Sequence, residues 1–130
     1  IYRQEWTEYF RLGETLWSNN GLYLFVANEN KVEIHDMQSL PEIIATHQGN
    51  VTAMAINPLD TILATGTADG EVHLTVIPTA EHWIELEACE EECTITALEF
   101  DPTGARLMIH TEEEQTQHIL IYALPETLYR

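Results

Sequence analysis

HQGNVTAMAINPLDTILATGTADGEVHLTVI, residues 47–77, is the stretch that decides the fold. Val51 to Ile56 is an apolar run with little polar character on either face, as expected of a strand covered on both sides. Asn57-Pro58-Leu59-Asp60 follows, and its proline suits the second position of a type I turn because the ring presets φ. Ile62 to Ala64 resumes the apolar run, and Ala68-Asp69-Gly70 is a second turn signal, since Asp and Gly tolerate positive φ. Val72 to Val76 is a third strand. Beyond it, in Trp83 to Ala88, Ile84, Leu86 and Ala88 alternate with Glu85 and Glu87, the pattern of a half-exposed outer strand.

The same order recurs on both sides. Asp101-Pro102-Thr103-Gly104 stands between Ile95–Phe100 and Leu107–Ile109, and Ser18-Asn19-Asn20-Gly21 precedes Leu22–Val26. Third strands are expected at Val32–His35 and Ile119–Ala123, with Asn28-Glu29-Asn30 and a longer acidic turn, Thr111 to Gln117, before them. Pro41 to Ala45 is a weaker outer strand. Four strands per unit at a period of about 40–45 residues is the pattern of a β-propeller blade. Unrelated hairpins in a β-sandwich are the rival, and the repeated turn chemistry argues against them. The expected fold is all-β, an incomplete arc of about three four-stranded antiparallel propeller blades. The expected divisions are 1–13, a helix or a latching strand (Tyr2, Trp6, Tyr9 and Phe10 recur at helical spacing); 14–46, 47–88 and 89–130, one blade each, the last with its outer strand cut short.

The 130 residues carry 22 Asp and Glu against 5 Lys and Arg, a net charge of −17, with 45% hydrophobic residues. The apolar share suffices for a core. The acidity opposes binding to nucleic acid phosphates and to anionic lipid. No apolar run reaches the ~18–20 residues of a membrane-spanning helix, and IYRQEW lacks the apolar stretch of a signal peptide. A cytoplasmic location is the expectation.

Residues 47–77 resemble a WD-repeat. His47 stands where the family's glycine–histidine pair supplies its histidine; Val51, Met54 and Ile56 match the first strand; Leu63-Ala64-Thr65-Gly66-Thr67 match the second; Asp69 holds the turn, and Val72 and Leu74 the third strand. The unit from Ile95 to Ala123 is a looser match and that from Glu14 to Thr46 looser still. The family's third-strand tryptophan is replaced by His35, Thr75 and Tyr122, and Thr46 stands where glycine would precede His47. The resemblance implies a structural hydrogen-bond network of His47, Thr65 and Asp69, and a protein–protein interaction scaffold that is not an enzyme. A structural wall within a large assembly is the alternative, and a propeller-borne hydrolase a weaker one. Propellers close with about four to eight blades, so the chain is expected to be a piece of a longer propeller, its edges covered by further blades or another chain.

No nucleophile elbow or phosphate-binding glycine loop occurs, and no catalytic residue or cofactor is expected. His35, His47, His73, His82, His110 and His118 show no helical pair and no finger-type spacing, so no metal site is expected. Cys89 and Cys93 flank Glu90 to Glu92. Two reduced thiols are the plainer reading, although a short-range disulfide is geometrically feasible. Alternate connections of an antiparallel sheet open on one end. The loop entering the third unit (Glu87, Glu90, Glu91, Glu92) and its hairpin (Glu112, Glu113, Glu114) are therefore expected to share a face, with Asp69 and Glu71 nearby. This acidic patch is the candidate binding site for a basic segment of a protein partner; a merely solvated charged surface is the bland reading.

Overall fold

The computed structural model describes residues 12–28, 31–37, 42–48, 50–77, 83–89 and 92–125. Eleven strands among them form three antiparallel sheets. The first is β1 (Leu12–Trp17), β2 (Tyr23–Asn28), β3 (Lys31–Asp36) and β4 (Glu42–Gln48), side by side in chain order. The second is β5 (Val51–Ile56), β6 (Ile62–Thr67), β7 (Glu71–Val76) and β8 (Trp83–Glu87). The third is β9 (Thr94–Phe100), β10 (Arg106–Glu113) and β11 (Thr116–Ala123). The fold is all-β, a run of propeller blades. The helix-or-strand expectation for the first segment falls outside the described residues as far as residue 11; β1 begins at Leu12. The last five residues, where the third unit's outer strand was expected to start, are also outside them. No helix among the described residues is long and apolar enough to cross a membrane.

The sheets pack face on face because β6 and most of β7 are buried on both sides. Every residue of β6 is buried. Ile62, Ala64, Val72 and Leu74 pack with Ile95, Leu98, Phe100 and Leu107 of the third sheet, and Ile84, Leu86 and Ala88 extend that layer outward. Leu63, one residue out of step, joins Phe25, Ala27, Val32 and Ile34 of the first sheet. Period-two alternation thus assigns each side chain of the middle sheet to one neighbour. At Gly66 the backbones come so close that a Cβ would lie 2.7 Å from Cβ of Ile95. β5 runs beside both β1 and β9, with its side chains buried or half-buried.

The three repeated turns share one backbone form. Gly21, Asp60 and Gly104, each fourth in its turn, have φ of 75°, 59° and 79°, and each donates its N–H to the carbonyl of the turn's first residue: Ser18, Asn57 or Asp101. The side chain of that first residue braces the loop. Asn57 Oδ1 accepts from the N–H of Thr61 and Ile62 at 2.8 and 2.9 Å; Asp101 Oδ1 accepts from Thr103 and Ala105.

The third unit corrects the sequence expectation. Thr111 to Gln117 is not a long turn. β10 continues to Glu113, and Glu113 pairs with Thr116, leaving a two-residue hairpin of Glu114 and Gln115. The ladder prevails because the flanking residues complete backbone pairs, even though Glu114 must take a positive φ of 51° without glycine or asparagine.

Candidate functional site

The ends of the second and third sheets meet at an acidic cavity of about 520 Å³. Ala68 reaches it from the β6–β7 hairpin, Glu92, Cys93 and Thr94 from the entry into β9, and Glu112, Glu113 and Glu114 from β10 and its hairpin. Thr94 Oγ1 donates to the carbonyl of Ala68 at 3.4 Å, tying the two sheets together at the cavity floor. Glu92, Glu112 and Glu114 are exposed and Glu113 half-buried. Arg106 is held by Asp101 and is not part of this lining. Four carboxylates gathered in one lining set up a negative potential that attracts positive charge.

Of the residues expected in the patch, the structure brings Glu92, Glu112, Glu113 and Glu114 together. Glu90 and Glu91 lie outside the described residues. Glu87 belongs to β8, opposite Glu71 on β7, away from the cavity lining. Asp69 is exposed at the tip of the β6–β7 hairpin.

The expected structural network is placed as follows. The backbone of His47 pairs with Val32 on β3; its side chain lies outside what is described. Thr65 is fully buried on β6, and its Oγ1 finds no hydrogen-bond partner among the described residues. The Asp69 turn is braced instead by Thr67, whose Oγ1 accepts from the N–H of Asp69 and Glu71 at 3.3 and 3.2 Å. At the tryptophan positions, Thr75 is buried and its hydroxyl finds no partner among the described residues, whereas His35 is buried with Nε2 2.9 Å from Oε1 of Glu33, two residues along the same strand.

Three arrangements depart from the plainer sequence reading. Cys89 and Cys93 form a disulfide, so the two-thiol expectation is overturned. Their Cα atoms lie 6.4 Å apart, and both sulfurs rest on Gly70, where a Cβ would stand 2.7 Å from Cys89 Sγ. Asp60 does more than close its turn: Oδ1 accepts from the Asn19 N–H at 2.7 Å and Oδ2 from the Asn20 N–H at 2.9 Å, clamping the first sheet's turn to the second's. Third, Glu71, His73 and Glu85 converge across β7 and β8. Sheet stacking creates the second of these and cross-strand register the third, and spacing along the chain shows neither.

The repeated turns, the three stacked sheets and the register of residues 47–77 define WD-repeat β-propeller blades, of divergent sequence. No protein-family model matches the chain. Among curated proteins it is similar to eukaryotic translation initiation factor 3 subunit I of Neosartorya fischeri and of Aspergillus oryzae, 28% identical to each over 105 residues. That alignment covers 78% of this chain and 30% of each relative, so the chain spans under a third of their length. Among solved structures, a chain of the mitotic checkpoint complex superposes with a TM-score of 0.74 at 23% identity, over 92% of this chain and 37% of that one. The β-propeller domain of Myceliophteria thermophila Cps50 (Swd1) gives 0.66 at 13% identity, over 88% and 39%. Both likenesses are likenesses of fold.

Proposed function

We propose that the chain is a non-catalytic protein-interaction scaffold whose acidic cavity receives a basic segment of a partner protein. The supporting observation is the convergence of Glu92 with Glu112, Glu113 and Glu114, contributed by separate stretches and with no basic side chain in the lining. Rigid sheets hold the loops in place while the loops carry the recognition. Relatives named as a translation initiation factor subunit, and a propeller found in a checkpoint complex, agree with a scaffold role in assemblies. A cytoplasmic location goes with the initiation-factor likeness.

A second reading has its own support. Ile119 and Ile121 are 63% and 62% exposed on the outer face of β11, and with Phe100, Pro102 and Met108 Ile121 lines a mainly apolar cavity of about 320 Å³. Such a face suits a structural wall, covered by a further blade or by another chain.

The test of the first reading is the affinity of a labelled Arg/Lys-rich peptide for the chain and for a variant with Glu92, Glu112, Glu113 and Glu114 all changed to Gln. The account expects roughly tenfold or greater weakening, since a factor of ten needs only ~1.4 kcal/mol. Equal affinities would remove the cavity from the proposal.

A further inference from the structure

On the face of the middle sheet that looks toward the first, β7 and β8 place four titratable side chains in a block. Glu71 lies opposite Glu87, and His73 opposite Glu85. The imidazole of His73 is buried, with Nε2 3.1 Å from Oε2 of Glu71 and Nδ1 3.5 Å from Oε1 of Glu85. One donor atom from each of Glu71, His73 and Glu85 falls within 4.8 Å of the other two. Glu71 and Glu85 are exposed, so their carboxylates turn freely toward a common centre, while the sheet holds the histidine.

Two further observations point to a cation at this centre. Like charges directly opposite each other in a ladder repel, and Glu71 stands opposite Glu87 with Glu85 two residues along the strand, three carboxylates on the same face as the single imidazole of His73. Independently, Thr65 is the partner of His73 across β6 and β7, so its side chain projects from the same face beside the imidazole. Its hydroxyl is fully buried and has no hydrogen-bond partner among the described residues. Buried hydroxyls are rarely left so, and ordered water commonly satisfies them. A hydrated metal ion held by the neighbouring imidazole brings such a water.

We infer that Glu71, His73 and Glu85 form a binding site for a divalent transition-metal ion of the zinc class. An imidazole with two carboxylates is a nitrogen–oxygen donor set, which suits zinc and its neighbours better than calcium or magnesium, whose sites are built from oxygen. Three protein ligands leave a coordination position for water. The site stabilises the outer half of the blade by joining β7 to β8 and relieving the carboxylate repulsion. It is separate from the acidic cavity and stands whether or not that cavity binds a partner.

The experiment is calorimetric titration of the full chain with Zn²⁺, supported by the visible absorption of the Co²⁺ form. The inference expects one strong site per chain, a Co²⁺ spectrum of low-coordinate type, and at least tenfold weaker binding in Glu85→Gln. Glu85 is exposed, so this variant keeps its fold, verified by circular dichroism. His73→Gln should abolish the Co²⁺ absorption, and the Glu112→Gln/Glu113→Gln/Glu114→Gln variant should bind Zn²⁺ as the parent does. Unchanged Zn²⁺ affinity in Glu85→Gln, displacement of Zn²⁺ by equimolar Ca²⁺, or a loss confined to the Glu112–Glu114 variant would each overturn it.

Discussion

Asp60 concentrates two requirements in one side chain. Its φ of 59° disfavours most residues, and its carboxylate joins two sheets through the backbone N–H groups of Asn19 and Asn20. Asp60→Gly separates the two, because glycine accepts the backbone at no steric cost. The variant is expected to lose about 1.5–3 kcal/mol in urea unfolding, the range for hydrogen bonds to a charged group; a loss below ~0.5 kcal/mol would show that the clamp contributes little. Asp101 offers a titration in its place. The Arg106 guanidinium, 2.8 Å from Oδ2, and the Thr103 hydroxyl hold its carboxyl well below the usual carboxylate range. A group depressed in the folded state stabilises it above the unfolded value, ~3.9. That stabilisation is full at neutral pH and is lost as pH falls from there through the folded value. Arg106→Gln should bring the Asp101 titration, followed by carboxyl NMR, up toward the ordinary range; an unmoved titration would assign the shift elsewhere. The turn roles of Asp60 and Asp101 were legible from Asn57-Pro58 and Asp101-Pro102. The clamp was not, because its partners lie about forty residues away and meet Asp60 only after the sheets stack.

At the scale of strands, what the sequence displays is period and turn chemistry. Both survive folding at β5 to β8, where alternation separates Ile84 and Leu86 from Glu85 and Glu87. They mislead at the β10–β11 hairpin, where a run of carboxylates reads as loop but the ladder continues through it. Gly66 reads as an ordinary strand residue, and only the packing explains it. Its bare Cα admits Ile95 of the next sheet. Gly66→Ala is therefore expected to destabilise by about 1–3 kcal/mol through overpacking, and Ile95→Ala, which removes both γ carbons that face the new methyl, should cost less in that background than in the parent. Chemical denaturation of the single and double variants measures both; additive losses would contradict the contact.

For the molecule as a whole, three sheets leave β11 with Ile119 and Ile121 open to solvent. The chain alone is expected to self-associate through this face. Ile119→Thr with Ile121→Thr should shift its size-exclusion profile toward monomer, whereas an unchanged profile would place the contact elsewhere. The acidic patch was legible as a shared end because alternate connections of a sheet emerge together. The Glu71, His73 and Glu85 group was not, since it depends on the β7–β8 register. The central functional claim is that the cavity of Glu92, Glu112, Glu113 and Glu114 captures a basic segment by charge. The most direct measurement is the stopped-flow association rate of an Arg/Lys-rich peptide at about 0.01 and 0.15 M salt, where the screening length falls from ~30 to ~8 Å. The account predicts a steep fall in rate with salt for the chain and a much shallower one for the variant carrying Gln at all four positions. Identical rates and identical salt dependence in the two proteins would contradict it.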